Sequence, residues 1–374
     1  MPPSVREPFP DALRALALVG VLVVNAAGYL SSPWGAVLGD EAARSGGVAL
    51  ALQGLYAFLV QGKAYPILAF LFGMGLVLAQ RGQPAAEALD RARSRQKWLL
   101  LLGVLHGVFI YFGDILTMYA LIGWLLLHHV RAPWTRLRRQ LRRALVWALV
   151  VGGLAAVAML AGLTMAPAPD EAAEIEPTFA DVASWPEFWA LNAEGYVFIQ
   201  IGSLILGFAL LRLLMMVGIA VTRLRWLTHR RWQAQRQRLL RRWAAPALLL
   251  NALYGLGYVY FAGNRDAVGM VEVMGFSVGP LLSMVMVVAL AQHARRAPVL
   301  LALAPLGRRT LTLYVGHGLL CLLLFSGVGL GWQPGLVGML GFSLLLWTAA
   351  WLAARASGTR RWPLEAALAW VARR

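Results

Sequence analysis

The sequence predicts an all-α fold, a polytopic transmembrane bundle of about ten spanning helices with both termini cytoplasmic. Three observations carry this expectation. The chain has 374 residues, of which 60% are hydrophobic and only 14% charged, and its mean hydropathy is +0.65. A soluble domain carries about 25% charged residues, so one oversized water-soluble core does not fit. Apolar stretches recur along the whole length, and crossing the hydrocarbon layer takes roughly 20 such residues each. Finally, the basic residues sit in short clusters between these stretches, as in cytoplasmic loops.

The spans fall at 12–30, 63–80, 97–112, 115–130, 144–166, 197–221, 243–262, 271–292, 310–330 and 335–354. Together they read as a single integral membrane domain over 1–374 with no soluble domain. Residues 48–60 (VALALQGLYAFLV) are apolar but only 13 long, too short to cross, and read as a helix on or dipping into the outer face. The first apolar run lacks a small-residue cleavage site and reads as a retained helix. Residues 355–374, with RWPLEAALAWVARR, read as an amphipathic tail on the cytoplasmic surface.

Charge sets the orientation. The net charge is +17, and of 34 basic residues only Lys63 and Lys97 are lysine. Arg81–Lys97 holds five basic residues, Arg131–Arg143 six without an acid, and Arg223–Arg242 eight without an acid. Arg295, Arg296, Arg308 and Arg309 precede the ninth span, whereas 167–190 carries Asp170, Glu171, Glu174, Glu176, Asp181 and Glu187 and no base. Placing every basic loop in the cytoplasm gives an even helix count. Clusters confined to loops speak for a lipid bilayer as the partner and against nucleic acid. Cys321 is the only cysteine, so there is no intrachain disulfide and no thiolate metal site is expected.

Ionisable groups within spans face the bundle interior and mark function. The stretch LHGVFIYFGDIL holds His106 near the middle of the third span and Asp114 at its outer end. On one straight helix these two stand about 12 Å apart, which leaves no direct hydrogen bond between them. Asp114 reads as a cap for the fourth helix near Thr117, and His106 as either a general base or a core histidine bonded to a neighbouring helix. His317, one turn after Tyr314, is the second mid-span histidine, and each histidine precedes a glycine. Further polar candidates gather towards the outer half at Asn25, Lys63 and Glu272. Lys63 has three readings: a partner for Asp114 or Glu272, a cation for an anionic head group, or a snorkelling anchor. Arg212 lies inside the sixth span and needs a partner, while Asp11 and Arg14 are spaced to pair on one helix face. No phosphate-binding, dinucleotide or hydrolase motif stands in a supporting context.

At these residues the chain resembles the YeiB-like family of bacterial inner-membrane proteins. The resemblance runs through FPDALRALALVGVLVVN with Asp11, Arg14 and Asn25, and LVQGKAYPILAFLFGMGL with Lys63, Phe70, Phe72 and Gly73. It continues in LLGVLHGVFIYFGDILTMYALIG with His106, Gly107, Gly113, Asp114 and Tyr119. It closes with Gly307, Thr312 and Tyr314 in PLGRRTLTLY and with Pro363-Leu364-Glu365. Two positions depart from the family pattern: Ala15 replaces a glycine, and His317-Gly318 replaces a Gln-Ser pair. The second departure argues against a family-wide catalytic role for His317. The family in turn resembles the transmembrane acyltransferase superfamily, whose enzymes pass acyl groups from a cytoplasmic donor to acceptors beyond the membrane using a buried histidine.

That resemblance implies an acyltransferase in the bacterial inner membrane. Acyl-CoA would be its donor, an envelope glycan or lipid its acceptor, and no tightly bound cofactor or metal is implied. No catalytic position of the superfamily carries over residue by residue. From their places in the spans, His106, as general base or acyl carrier, and Asp114 are the catalytic candidates, and Asp11, Arg14, Asn25, Lys63, Glu272, Tyr314 and His317 the substrate-binding candidates. The alternatives are a transporter or lipid translocase for an anionic solute, without chemistry, and a non-catalytic scaffold.

Overall fold

The computed structural model describes residues 7–30, 47–165, 178–262, 264–294 and 297–371. Asp170, Glu171, Glu174, Glu176, Arg295, Arg296 and both chain ends lie outside these residues. Among the described residues all regular structure is helical: α1 Pro8–Tyr29, α2 Gly47–Leu59, α3 Ala64–Leu78, α4 Ala85–Phe109, α5 Leu116–Leu126, α6 Trp134–Met165 and α7 Trp185–Gly202. A π-helical segment, Ser203–Gly207, leads into α8 Phe208–Arg223, followed by α9 Gln233–Tyr260, α10 Arg265–His293, α11 Thr310–Phe325, α12 Leu336–Ala356 and α13 Pro363–Val371.

Six helical stretches among the described residues are long and apolar enough to cross a membrane: Pro8–Tyr29, Gly47–Leu78, Trp134–Gly162, Trp185–Arg223, Ala267–His293 and Leu336–Ala356. Shorter apolar helices include Leu116–His129 and Thr310–Phe325. The molecule is thus a multi-pass helical bundle, but its elements differ in length from the expected spans. The fourth stretch forms an 11-residue helix, about 16 Å long, against a hydrocarbon layer of roughly 30 Å. The sixth starts earlier than expected and runs for 39 residues through the π segment.

Apolar composition alone does not distinguish the centre of the bundle from its rim; packing does. In α1, Ala12, Leu13, Ala15, Leu22, Ala26 and Tyr29 are all fully buried, and a helix apolar on every side belongs in the interior. In α6, Trp147, Leu149 and Leu154 are 61%, 66% and 67% exposed, a face suited to lipid. Helices α3 and α8 cross with their backbones nearly touching. A Cβ at Gly73 would lie 2.0 Å from the Met215 carbonyl oxygen, and one at Gly218 2.1 Å from that of Phe70. Only glycine at both positions permits such an approach.

Basic side chains tie the loops of one end together. Arg131 donates to the carbonyls of Gln80 (2.8 Å) and Gln83 (3.0 Å), Arg223 to Ala132 (2.7 Å), and Arg81 to Thr222 (3.0 Å). The loops after α3, α5 and α8 therefore share one face of the bundle, as positive-inside placement requires. Arg212 finds the partner it needs in Gln140, at 3.2 Å. The tail also packs inward. The Glu365 carboxylate accepts from Leu311 N (2.8 Å), Thr312 N (3.0 Å) and Thr312 Oγ1 (2.5 Å), so α13 caps the start of α11.

Candidate functional site

The site is built on the break between α4 and α5. Helix α4 ends at Phe109, where the His106 carbonyl accepts from Ile110 N (2.9 Å) and Tyr111 N (2.8 Å). The next two carbonyls, Gly107 and Val108, would be orphaned at a helix end inside an apolar bundle. Asn192 of α7 donates to both, at 2.7 and 2.8 Å. The non-helical stretch 110–115 then folds back alongside α4. A Cβ at Gly103 would meet Thr117 N at 2.6 Å, which places the start of α5 level with the turn of α4 below His106.

This fold-back corrects the expected separation of about 12 Å along a straight helix. His106 Nδ1 lies 3.1 Å from Asp114 Oδ1, and both side chains are fully buried. The straight-helix assumption fails because α4 stops three residues after His106. The rest of the Asp114 carboxylate is saturated. Tyr314 Oη donates to Oδ1 at 3.0 Å, while Thr117 N and Thr117 Oγ1 donate to Oδ2 at 2.8 Å each. The capping role read from the sequence is therefore present together with the pairing. The half-helix α5 also points its positive end at this carboxylate.

The accepting carboxylate places the imidazole hydrogen on Nδ1 and leaves a lone pair on Nε2. His106 Nε2 is buried and has no hydrogen-bond partner among the described residues. It faces Gly318 of α11, where an added Cβ would stand 2.8 Å away. Tyr29 Oη donates to the Gly318 carbonyl at 3.2 Å and also to that of Ile110, joining α1 to both walls. The Tyr314 ring packs on the imidazole at 4.6 Å between centroids. A buried imidazole oriented by a carboxylate, with its other nitrogen open, is the arrangement of a general base.

Three residues of α7 were missed by sequence reasoning. Besides Asn192, Gln200 donates to the Asp114 carbonyl at 2.9 Å, and Tyr196 Oη meets Thr117 Oγ1 at 3.1 Å. They stand at i, i+4 and i+8, a polar stripe on one face of an apolar helix, and that spacing was visible in the sequence. The Sγ of Cys321 lies 3.4 Å from Nε2 of His317, one turn earlier on α11.

The other candidates are not all gathered here. Lys63 is buried, donates to the Ala57 carbonyl at 2.7 Å and sits 4.8 Å over the Tyr254 ring. It pairs with neither Asp114 nor Glu272, since its ammonium points back towards α2. Glu272 is held by Gln61 at 3.0 Å and by Tyr258. Asn25 is buried on α1, and its Nδ2 has no partner among the described residues. Asp11 and Arg14 pair at 2.7 Å as expected, and Arg308 approaches the same carboxylate at 3.4 Å. Among the described residues no three His, Cys, Asp or Glu side chains gather in a way that would hold a metal ion.

Fold and site together define a multi-pass helical membrane protein with a buried histidine–aspartate pair at a broken hairpin. Comparison with known proteins supports a YeiB-like family for this chain. Residues 221–371 match the family described as "Protein of unknown function (DUF418)", a stretch that includes Tyr314, His317 and Glu365 but neither His106 nor Asp114. The chain is 35% identical over 124 residues to "Uncharacterized protein YxaH" of Bacillus subtilis (strain 168), covering 31% of each chain. It is 34% identical over 125 residues to "Uncharacterized protein YeiB" of Escherichia coli (strain K12), covering 30% of this chain and 28% of that one. A third relative, "Uncharacterized 39.9 kDa protein in amylase 3'region" of Bacillus acidopullulyticus, is 34% identical over 122 residues, 31% of this chain and 32% of its own length. The matched stretches thus span less than a third of these relatives.

Proposed function

We propose that the protein is a transmembrane acyltransferase of the bacterial inner membrane, with acyl-CoA as donor and an envelope glycan or lipid hydroxyl as acceptor. The observation that carries this reading is the open Nε2 of His106 beside a carboxylate-bound Nδ1. In the reaction Nε2 takes the proton of the acceptor hydroxyl while its oxygen attacks the thioester carbonyl. The tetrahedral adduct collapses, the C–S bond breaks, and the departing thiolate recovers the proton from Nε2. Asp114 holds the imidazole in the required tautomer and balances the imidazolium that forms transiently. Tyr314 and Thr117 hold the carboxylate in place through their hydrogen bonds.

The donor enters from the basic end and the acceptor from the opposite one. Asn25 of α1 and His317 of α11 are buried in the bundle, and Lys63 and Glu272, held by the Ala57 carbonyl and by Gln61, are assigned no step in this reaction. The test is release of free thiol from acyl-CoA by purified protein supplied with a cell-envelope extract, followed by mass analysis of the acceptor pool. Accumulation of an acylated envelope product supports the reading. Uptake or flipping of an anionic solute without thioester cleavage replaces it with a transporter.

A further inference from the structure

Ten residues before His106 on the same helix, a second polar group faces the bundle from the basic end. Gln96 is fully buried, and neither its Nε2 nor its Oε1 has a partner among the described residues. Leaving both ends of an amide unsatisfied away from water is costly. Beside it, Arg95 is partly withdrawn from the surface, with its guanidinium 5.6 Å over the Phe72 ring. Its neighbours Arg91, exposed, and Arg93, half-buried like Arg95, instead have carboxylate partners in Glu87 and Asp90, both at 3.3 Å. Arg95 has no carboxylate partner among the described residues.

The groups converge on one face of α3. An added Cβ at Gly123 would meet the Phe72 ring at 2.6 Å and Gln96 Oε1 at 3.0 Å. One turn along from Phe72, Gly75 lies 3.5 Å, measured from an added Cβ, from Arg14 Nη2. Arg14 and Arg95 stand within Coulombic range of each other. The Asp11 carboxylate accepts from Arg14 and lies 3.4 Å from Arg308. Arg95, with no carboxylate partner among the described residues, thus stands next to an unsatisfied amide. Positive-inside placement explains basic residues in a loop; it does not explain a guanidinium packed on Phe72 without a carboxylate beside a buried, unsatisfied glutamine.

We infer that Arg95, Gln96 and Arg14 form a phosphate-binding site at the inner end of the α4–α5 hairpin. Arg95 supplies a planar donor fork, which suits phosphate oxygens. Gln96 Nε2 adds a neutral donor at the buried side. Gln96 and His106 are separated by ten residues of continuous helix, about 15 Å. A carrier with a phosphate at one end and a thioester on a long flexible arm would span that distance. The assignment to a thioester carrier rests on the acyltransferase reading, whereas phosphate recognition does not. A phospholipid head group from the inner leaflet offers the same chemistry.

The experiment measures binding, so it stands apart from turnover. Purified protein in nanodiscs of zwitterionic lipid is titrated with coenzyme A, and native mass spectrometry scores retention of phosphatidylglycerol. Arg95→Ala and Gln96→Leu are expected to weaken one of these ligands by about tenfold or more, and Arg95→Lys by less, because a point charge keeps attraction without the fork. Thermal melting of each variant separates lost binding from lost folding, and Arg95→Lys preserves the charge if Arg95→Ala does not fold. Loss of coenzyme A binding identifies the carrier, and loss of phosphatidylglycerol alone identifies the lipid. If folded variants bind both probes as the wild type does, or the wild type binds neither, the phosphate site is wrong. Wild-type protein that binds coenzyme A but never cleaves a thioester overturns the acyltransferase reading and leaves this site standing.

Discussion

His106 Nδ1 and Asp114 Oδ1 lie 3.1 Å apart across a helix end and a six-residue return, with both side chains fully buried. The contact joins two roles. One carboxylate caps a half-length helix through Thr117 and also orients an imidazole. Capping fixes the carboxylate, and the fixed carboxylate fixes the base.

The two roles separate by mutation. His106→Ala is expected to lower thioester cleavage by about 10²–10⁴-fold, the usual range for losing a general base, with donor binding retained. Asp114→Asn should lower turnover severely, because it cannot balance an imidazolium, and should lower the melting temperature less than Asp114→Ala, because the asparagine oxygen still caps Thr117 while its amide nitrogen cannot accept from Tyr314. Cleavage by His106→Ala at the wild-type rate would make the histidine a packing residue.

Gly318 gives a test that leaves both members of the pair intact. Its replacement by alanine puts a carbon 2.8 Å from His106 Nε2 and 3.1 Å from Ile110 Cγ2. Overpacking of this kind costs about 1–3 kcal/mol. The expected result is a modest fall in melting temperature and a much larger fall in turnover, since the open nitrogen is covered. A variant that is destabilised but turns over normally would show that the acceptor does not approach Nε2 from this side.

At the α3–α8 crossing the obstacle is backbone, which cannot rotate away. Gly73→Ala and Gly218→Ala each place a carbon about 2 Å from a carbonyl oxygen of the other helix. Each should destabilise the bundle by at least about 1–3 kcal/mol, read as lower yield and lower melting temperature in detergent. Wild-type melting in both variants would mean that the helices do not cross this closely.

Topology can be read with the chain's own cysteine left in place, because Cys321 is fully buried. Cysteines introduced at the exposed positions Ala183 and Arg230 should label differently with a membrane-impermeant maleimide. Ala183→Cys is expected to react in intact cells and Arg230→Cys only after permeabilisation. The reverse pattern would invert the bundle and with it the sides assigned to donor and acceptor.

The sequence by itself determined the class of the molecule, because apolar length and loop charge act locally and add along the chain. It also made visible the cap at Asp114, the Asp11–Arg14 pair and the need of Arg212 for a partner, all interactions set by short spacing or by burial of charge. The pairing of His106 with Asp114 was decided only by tertiary structure. Periodicity describes a helix that continues, whereas this one stops at Phe109, and Asn192 of α7 satisfies the carbonyls that the stop exposes. Likewise no local feature says that Lys63 turns towards the Ala57 carbonyl, or that Glu365 reaches α11 from the far end of the chain. A buried polar group takes whichever partner packing brings within about 3 Å, and in an apolar bundle that partner comes from another helix.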